Sequence, residues 1–226
     1  MQNRRHVVVE INKNFEAERE CVVVLGVPRG GTSVVAGICH LLGFQMGIEI
    51  DPSNMESIEI QRLSKGESLR SEFKEIISLM STKSLKFGFK DPTAIDWIMR
   101  VHDLIPNPKY IFVSRDLAAT TERERIASHP VRESLISANN RINQIVHFLL
   151  SQKDPAAMMS YERLLLQPKD GVIELSEFLN VSIDPEATDQ IANLVRPNMN
   201  MPSEANFLTS AISLRRKNLQ QSVLHQ

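Results

Sequence analysis

The sequence predicts an α/β protein with a mostly parallel central sheet flanked by helices. Short apolar runs rich in β-branched residues, such as residues 21–25 and 110–113, are typical of strands buried on both faces of a parallel sheet. Segments with a helical spacing of apolar residues separate these runs along the chain. The first of the two runs leads directly into a glycine-rich turn and a helical pattern. Strands and helices that alternate in this way form parallel sheets through right-handed crossovers.

Each predicted element has its own pattern of apolar residues. The predicted strands cover residues 7–11, 21–25, 85–89, 110–113 and 156–160. The predicted helices cover residues 32–42, 55–80, 93–104, 133–151, 161–166, 171–179 and 185–195. Gly43 ends the first helix, and Asp91 or Thr93 lies where the third begins. Parallel strands bring their carboxyl ends to one edge of the sheet, where such folds bind ligands.

One domain covering residues 1–226 accounts for the length of the chain. Its core spans residues 21–195, approximately from the first buried strand to the last helix. Residues 196–226 form a tail rich in Pro, Asn, Met and Ser, for which no fixed fold is predicted. A basic cluster at 215–217 lies in this tail, and we interpret it as a solvated helix face.

Composition excludes several classes of protein. The 226 residues carry 26 basic and 27 acidic side chains, so no broad basic surface is expected for nucleic acid or anionic membranes. Only one Trp and two Tyr are present, which disfavours a base-stacking platform. The longest apolar runs fall far short of the roughly 20 residues that a membrane span needs. The apolar stretch near the start is too short for a signal peptide, so we expect a cytoplasmic protein.

Neither cysteines nor histidines show the spacing of metal ligands. Cys21 and Cys39 both lie in apolar contexts, without a second Cys or a His nearby at ligand spacing. The six histidines have no paired acid in the sequence pattern, and we interpret them as packed or surface residues. We therefore expect no disulfide framework and no metal.

The segment GVPRGGTS at 26–33 has the position and composition of a phosphate-binding loop. Glycines let the backbone approach an anion, and the N-terminus of the following helix adds partial positive charge. The spacing is close to that of the nucleoside-triphosphate loop G-x-x-x-x-G-K-[ST], but Thr32 replaces its lysine. That lysine contacts the β- and γ-phosphates, so its loss argues against a triphosphate substrate. The cation lies at Arg29 instead, inside the loop.

Four segments resemble the sulfotransferases, which use 3′-phosphoadenosine 5′-phosphosulfate (PAPS) as donor. PRGGTS at 28–33 is similar to the family's donor loop P-[KR]-[SG]-G-[ST]-[ST], and FGFKDP at 87–92 resembles W-G-W-K-D-P-R of the branch that includes bacterial and carbohydrate enzymes. IPNPKYIFVSRD at 105–116 resembles the segment L-P-x-A-[KR]-[FY]-[IV]-x-x-x-R-[DN]-P, and SYERLL at 160–165 resembles the family's Y-E-x-L stretch. The resemblance implies a P-loop fold and a PAPS-dependent sulfotransferase that needs no metal.

The resemblance also implies roles for particular residues. The donor's 5′-phosphate is expected on Gly30, Gly31, Thr32 and Ser33, with Arg29 facing the bridging oxygen as catalytic cation. Arg115 closes a buried strand, and a guanidinium there can bind the 3′-phosphate. Lys90 also ends a strand at this edge and can face the donor, with Asp91 either orienting it or capping the next helix. ESIEIQRLS at 56–64 resembles a stretch near the acceptor, so Glu56 is a possible general base.

The chain departs from the family's pattern in two of these segments. Leu117 stands where a proline usually follows, and Thr93 replaces the Arg after K-D-P. The Ser that completes the 3′-phosphate site is absent, and Thr120, Thr121 or the cationic Arg123 are its candidate replacements. Two other functions therefore remain open: a P-loop nucleotide kinase or NTPase, and a non-catalytic nucleotide-binding protein. For the sulfotransferase, the sequence predicts a small-molecule or glycan acceptor with a hydroxyl or amine and does not indicate an oligomeric state.

Overall fold

A computed structural model of the protein describes residues 6–195. Its strands are β1 Val8–Asn12, β2 Glu20–Leu25, β3 Gln45–Met46, β4 Lys86–Lys90, β5 Pro108–Ser114 and β6 Ala156–Ser160. Its α-helices are α1 Thr32–Leu41, α2 Ile58–Gln61, α3 Leu69–Lys83, α4 Leu117–Ile126, α5 Val131–Ser151, α6 Tyr161–Leu166, α7 Pro168–Phe178 and α8 Pro185–Leu194. The basic cluster at 215–217 and the rest of the predicted tail lie outside the described residues.

The six strands form one sheet in the order β1-β6-β5-β2-β4-β3. β1 is antiparallel to β6, and the other neighbouring strands are parallel. The predicted α/β fold with a mostly parallel sheet is thus confirmed. β2 lies between β5 and β4. After β2 the chain forms β3 and β4 on one side of it, and then β5 and β6 on the other side. Such a reversal opens a crevice at the carboxyl end of the central strand.

Helices cover both faces of the sheet, which explains the continuous apolar runs of its strands. Along β2, Val22 and Val24 pack against the layer that contains α1, α7 and α8. Cys21, Val23 and Leu25 pack on the opposite layer, which contains α3 and α5. A strand with two covered faces has no polar face, so the alternation of half-exposed strands is absent here. Within residues 6–195, no helix has the length and apolar character needed to span a membrane.

Two predicted helices differ from the structure. The helix predicted at 55–80 is divided into α2 and α3 by a turn, in which the Ser64 hydroxyl accepts a hydrogen bond from the N–H of Gly66. The helix predicted at 93–104 consists of three 3₁₀ turns, Ala94–Asp96, Ile98–Arg100 and His102–Leu104. They are interrupted at Trp97 and Val101, whose φ angles of −140° and −139° are not helical. The short β3 was not predicted, because two residues carry no periodicity.

Candidate functional site

The predicted phosphate loop connects β2 to α1 and lies in the crevice. The N–H of Gly30 donates to the carbonyl of Val27 over 2.9 Å, which closes the loop. A Cβ on Gly30 would lie 2.7 Å from the same carbonyl oxygen, so this turn requires glycine. α1 begins at Thr32 without a side-chain cap, which leaves the N–H groups at its start to an anion. The loop therefore has the geometry that phosphate binding requires.

Gly31 packs against the ring of Tyr161, which begins α6. Its φ of +84° lies in the left-handed region, and a Cβ there would come within 2.2 Å of the ring. On the same ring lies the Arg115 guanidinium, 4.9 Å from its centroid. Arg115 also donates through Nη1 to the carbonyl of Arg29 over 2.8 Å. Tyr161 and Arg115 thus hold the loop from the side of β5 and β6, a structural role that the sequence did not indicate.

An open cavity of about 260 Å³ lies over the loop and brings together residues that are far apart in the sequence. Seven of the predicted site residues line it: Arg29, Gly31, Thr32, Ser33, Glu56, Lys90 and Arg123. Among them is Glu56, the predicted base. Arg115 lies behind the loop and is absent from the lining, as is Gly30. We call this space the donor cavity.

Lys90 and Glu56 form an ion pair in the wall of the donor cavity. The Lys90 Nζ lies 2.6 Å from Glu56 Oε1 and also donates to the carbonyl of Asn54 over 3.2 Å. The second carboxylate oxygen of Glu56 accepts from Gln61 Nε2 over 2.8 Å. The Lys90 side chain is only 2% exposed, and burial lowers its pKa while the charge of Glu56 opposes that shift. The sequence predicted Lys90 at this edge and Glu56 near the acceptor, but not their pairing.

Asp91 caps the segment that follows β4 instead of orienting Lys90. Its carboxylate accepts hydrogen bonds from the N–H and the hydroxyl of Thr93, over 2.7 and 2.8 Å. It also accepts one from the indole N–H of Trp97 over 3.0 Å. Of the two roles that the sequence allowed for Asp91, the structure supports the cap.

Glu124 and His129 belong to the site, although the sequence analysis did not select them. Both line the donor cavity, with Glu124 Oε1 lying 3.5 Å from Arg29 Nε and Glu124 Oε2 lying 3.2 Å from His129 Nδ1. The expectation that no histidine has a paired acid is therefore wrong for His129, and also for His6, which pairs with Glu174. A signal existed in Ser128-His129-Pro130, a turn that folds back on the end of α4 and brings the His129 N–H to the Glu124 carbonyl over 3.0 Å.

The two threonines proposed to replace the missing Ser are both buried in α4. The hydroxyl of Thr120 donates to the carbonyl of Asp116 over 3.0 Å within the helix, so its proton is already used. Arg123 instead reaches the donor cavity beside Arg29. Among the three candidates for this position, Arg123 has the placement that suits an anion.

Cys21 and Cys39 are free and buried, and burial raises the pKa of both thiols. In the described part of the chain, no group of three or more His, Cys, Asp or Glu side chains is arranged to hold a metal ion.

Comparison with known proteins identifies the fold. No family model matches the chain. A protein of Caenorhabditis briggsae named "Putative protein-tyrosine sulfotransferase" is 22% identical over 192 residues, covering 74% of this chain and 67% of its own length. The sulfotransferase domain of the Synechococcus PCC 7002 olefin synthase superposes with a TM-score of 0.57 at 17% identity, covering 88% of this chain and 90% of that domain.

Two further solved structures show the same architecture. A sulfotransferase from Mycobacterium avium gives a TM-score of 0.56 at 11% identity, covering 90% of this chain and 77% of its own. A mouse sulfotransferase complexed with PAP gives 0.53 at 12% identity, covering 83% of this chain and 70% of its own. The chain has the sulfotransferase fold, and the resemblance predicted from four sequence segments is confirmed at the level of the fold.

Proposed function

We propose that this protein transfers the sulfuryl group of PAPS to a hydroxyl or amine of an acceptor. The observation that carries the proposal is the donor cavity: a phosphate loop with Thr32 in place of the P-loop lysine, and three cations, Arg29, Lys90 and Arg123, in its lining. A donor with a single 5′-phosphosulfate group needs several cations but no contact to a γ-phosphate. The fold and the distant resemblance to the C. briggsae protein support the same conclusion.

The loop residues are proposed to bind the donor's 5′-phosphate. The N–H groups of Gly31, Thr32 and Ser33 lie at the start of α1, where the helix dipole favours an anion. Gly30 contributes by closing the loop, because its own N–H donates to the Val27 carbonyl. The hydroxyls of Thr32 and Ser33 add two further donors. Arg115 is proposed to bind the 3′-phosphate, and Arg123 is proposed to help it from α4.

Arg29 and Lys90 are proposed to stabilise charge as the sulfuryl group leaves. The acceptor oxygen or nitrogen attacks sulfur, the bond from sulfur to the bridging oxygen breaks, and the electron pair of that bond stays on the 5′-phosphate. Negative charge therefore grows on the bridging oxygen, where a fixed cation lowers the barrier. The products are the sulfated acceptor and 3′,5′-adenosine bisphosphate.

Glu56 is proposed to accept the proton that the acceptor loses. Its carboxylate is 18% exposed and lines the donor cavity, so an acceptor group can reach it. The ion pair with Lys90 and the hydrogen bond from Gln61 hold this carboxylate in place, and a base must first be positioned within reach of the proton it accepts. The acceptor class is a small molecule or a glycan, and we expect the reaction in the cytoplasm.

Release of 3′,5′-adenosine bisphosphate from PAPS tests the proposal. We expect the purified chain to form it in the presence of EDTA, slowly with water and faster with a panel of alcohols, phenols and amines. ATP with Mg²⁺ should give no product. Hydrolysis of ATP, or absence of any turnover of PAPS despite binding, would contradict the proposed activity and favour a nucleotidase or a non-catalytic binding protein.

A further inference from the structure

A second cavity, of about 430 Å³, adjoins the donor cavity on the side of α4 and α5. The two cavities share Pro28, Glu124 and His129 as part of their walls. A molecule in the second cavity therefore lies next to the loop that carries Arg29. This volume is in the range of sites that bind small molecules.

The charges that line the two cavities differ in sign. Cations outnumber carboxylates in the donor cavity, where Arg29, Lys90 and Arg123 face Glu56 and Glu124. In the second cavity Glu124 is paired with Arg29, which lies outside this lining, so Glu133 is the carboxylate that sets the charge beside Arg141. Arg141 is itself held by Asp96, which lies outside the cavity lining, with 2.9 Å between Nη2 and Oδ2. The second cavity therefore favours a positively charged group, while the donor cavity favours an anion.

Thr121 gives an independent indication that the second cavity takes a polar ligand. Thr121 is only 7% exposed and lines this cavity. Within residues 6–195 its hydroxyl has no hydrogen-bond partner. A buried hydroxyl without a partner is unfavourable, and a rotation of the Thr121 side chain toward the cavity would let a hydroxyl-bearing ligand provide one.

We propose that the second cavity binds the sulfuryl acceptor, and that this acceptor is an alcohol or phenol that also carries a positively charged group. The proposal rests on the proposed function, because it takes the donor cavity as the PAPS site. Glu133 in the first turn of α5 is the specificity-determining residue, since it lines the second cavity and not the donor cavity. Glu124 contributes charge to both cavities and is already paired with Arg29 and His129.

Binding of two shape-matched probes tests the proposal without any need for turnover. The chain is first titrated with 3′,5′-adenosine bisphosphate alone and then, once saturated, with tyramine or with 4-ethylphenol, which lacks the ammonium group. We expect tyramine to bind about fivefold more tightly, the scale of one partly exposed ion pair, with the preference decreasing as salt is raised. Glu133→Gln should reduce the preference to near unity.

Glu75→Gln is the matched control, because Glu75 is an exposed glutamate of α3 that lines neither cavity. It should leave the tyramine preference unchanged. Glu133 also lies where a carboxylate stabilises a helix N-terminus. A loss of that role would reduce the affinities for both probes alike, so the ratio of the two affinities would stay the same. A chain that binds the bisphosphate yet binds neither probe, shows no preference, or keeps the preference in Glu133→Gln overturns the acceptor proposal alone. A chain that does not bind the bisphosphate overturns the proposed function, and the acceptor proposal with it.

Discussion

The ammonium group of Lys90 lies 2.6 Å from the carboxylate of Glu56 and is almost completely buried. The pair joins the end of β4 to the segment before α2, two parts of the chain that the sequence gives no reason to connect. A buried ammonium without a counter-ion is strongly unfavourable. The pair therefore fixes the position of a proposed catalytic cation and a proposed base at the same time.

Glu56→Gln should lower the free energy of unfolding by about 2 kcal/mol at pH 7, because the buried Lys90 ammonium then loses the carboxylate with which it forms an ion pair. Burial lowers the pKa of Lys90 below its ordinary value of 10.5. The unfolded chain thus holds this proton more tightly, and the cost of burying the charge disappears as the pH rises toward the unfolded pKa. Urea denaturation should accordingly show a smaller effect of the substitution at pH 10 than at pH 7. Glu75→Gln is the control, and an effect of Glu56→Gln that does not change with pH would contradict a charged Lys90.

Gly31→Ala should destabilise the protein more than Gly43→Ala. Both glycines have positive φ angles, of +84° and +105°, so alanine is strained at either position. Only at Gly31 would the new Cβ meet another group, the ring of Tyr161, whereas nothing lies within 4 Å at Gly43. The difference between the two variants, measured by urea denaturation, should be about 1–3 kcal/mol, the usual cost of overpacking. Equal losses would mean that the contact of the loop with Tyr161 does not constrain Gly31.

Arg115→Ala should reduce the affinity for 3′,5′-adenosine bisphosphate more than the affinity for 5′-AMP. The wild-type chain should prefer the bisphosphate, since only this nucleotide carries the 3′-phosphate that Arg115 is proposed to bind. Because Arg115 also donates to the carbonyl of Arg29 in the loop, its loss will reduce the affinity for both nucleotides to some extent. Calorimetric titration of both ligands separates the two roles. A variant in which the ratio of the two affinities equals that of the wild type would show that Arg115 only supports the loop.

Arg29→Ala should lower kcat for PAPS by about two orders of magnitude with a smaller change in KM, as when one donor that stabilises developing charge is removed. Arg29→Lys should keep substantial activity, because the charge remains although the planar fork is lost. The φ of +61° at Arg29 is present in the wild type, so alanine adds no new backbone strain. Steady-state release of 3′,5′-adenosine bisphosphate measures these effects. Turnover of Arg29→Ala at the wild-type rate would show that Arg29 is a packing residue.

The fold could be predicted because its main signals are local. Buried parallel strands appear as continuous apolar runs, and β2, β4, β5 and β6 were found in this way, within a few residues of their observed bounds. The antiparallel edge strand β1 was also predicted, from a short apolar stretch. The boundary between α2 and α3 was missed because the apolar residues on either side of the turn each have helical spacing, and the polar residues 64–68 between them were included in one helix. The 3₁₀ turns before β5 were missed because their geometry depends on Asp91 contacting the Trp97 indole, a contact between side chains six residues apart.

The site was predictable only where a motif is continuous in sequence. The loop at 26–33, Lys90 and Arg115 follow strands, so the edge of the sheet could be inferred for each of them. The Lys90–Glu56 pair spans 34 residues, and the contact of Arg29 with Glu124 joins the loop to α4. No periodicity encodes such contacts, because they depend on how whole elements pack. Glu124 and His129 were therefore missed although they lie beside the residue with the clearest predicted role.

The central claim is that the loop at 26–33 and the cations around it bind the nucleotide of PAPS without metal. The most direct test is thermal unfolding of the full chain with 3′,5′-adenosine bisphosphate in EDTA, compared with ATP and Mg²⁺. A ligand bound only by the folded state stabilises it, by about 2.7 kcal/mol at one hundred times its Kd. We predict a clear rise in Tm with the bisphosphate, lost in Arg115→Ala at the same concentration, and little change with ATP and Mg²⁺. A larger rise with ATP and Mg²⁺ than with the bisphosphate in EDTA would contradict the account.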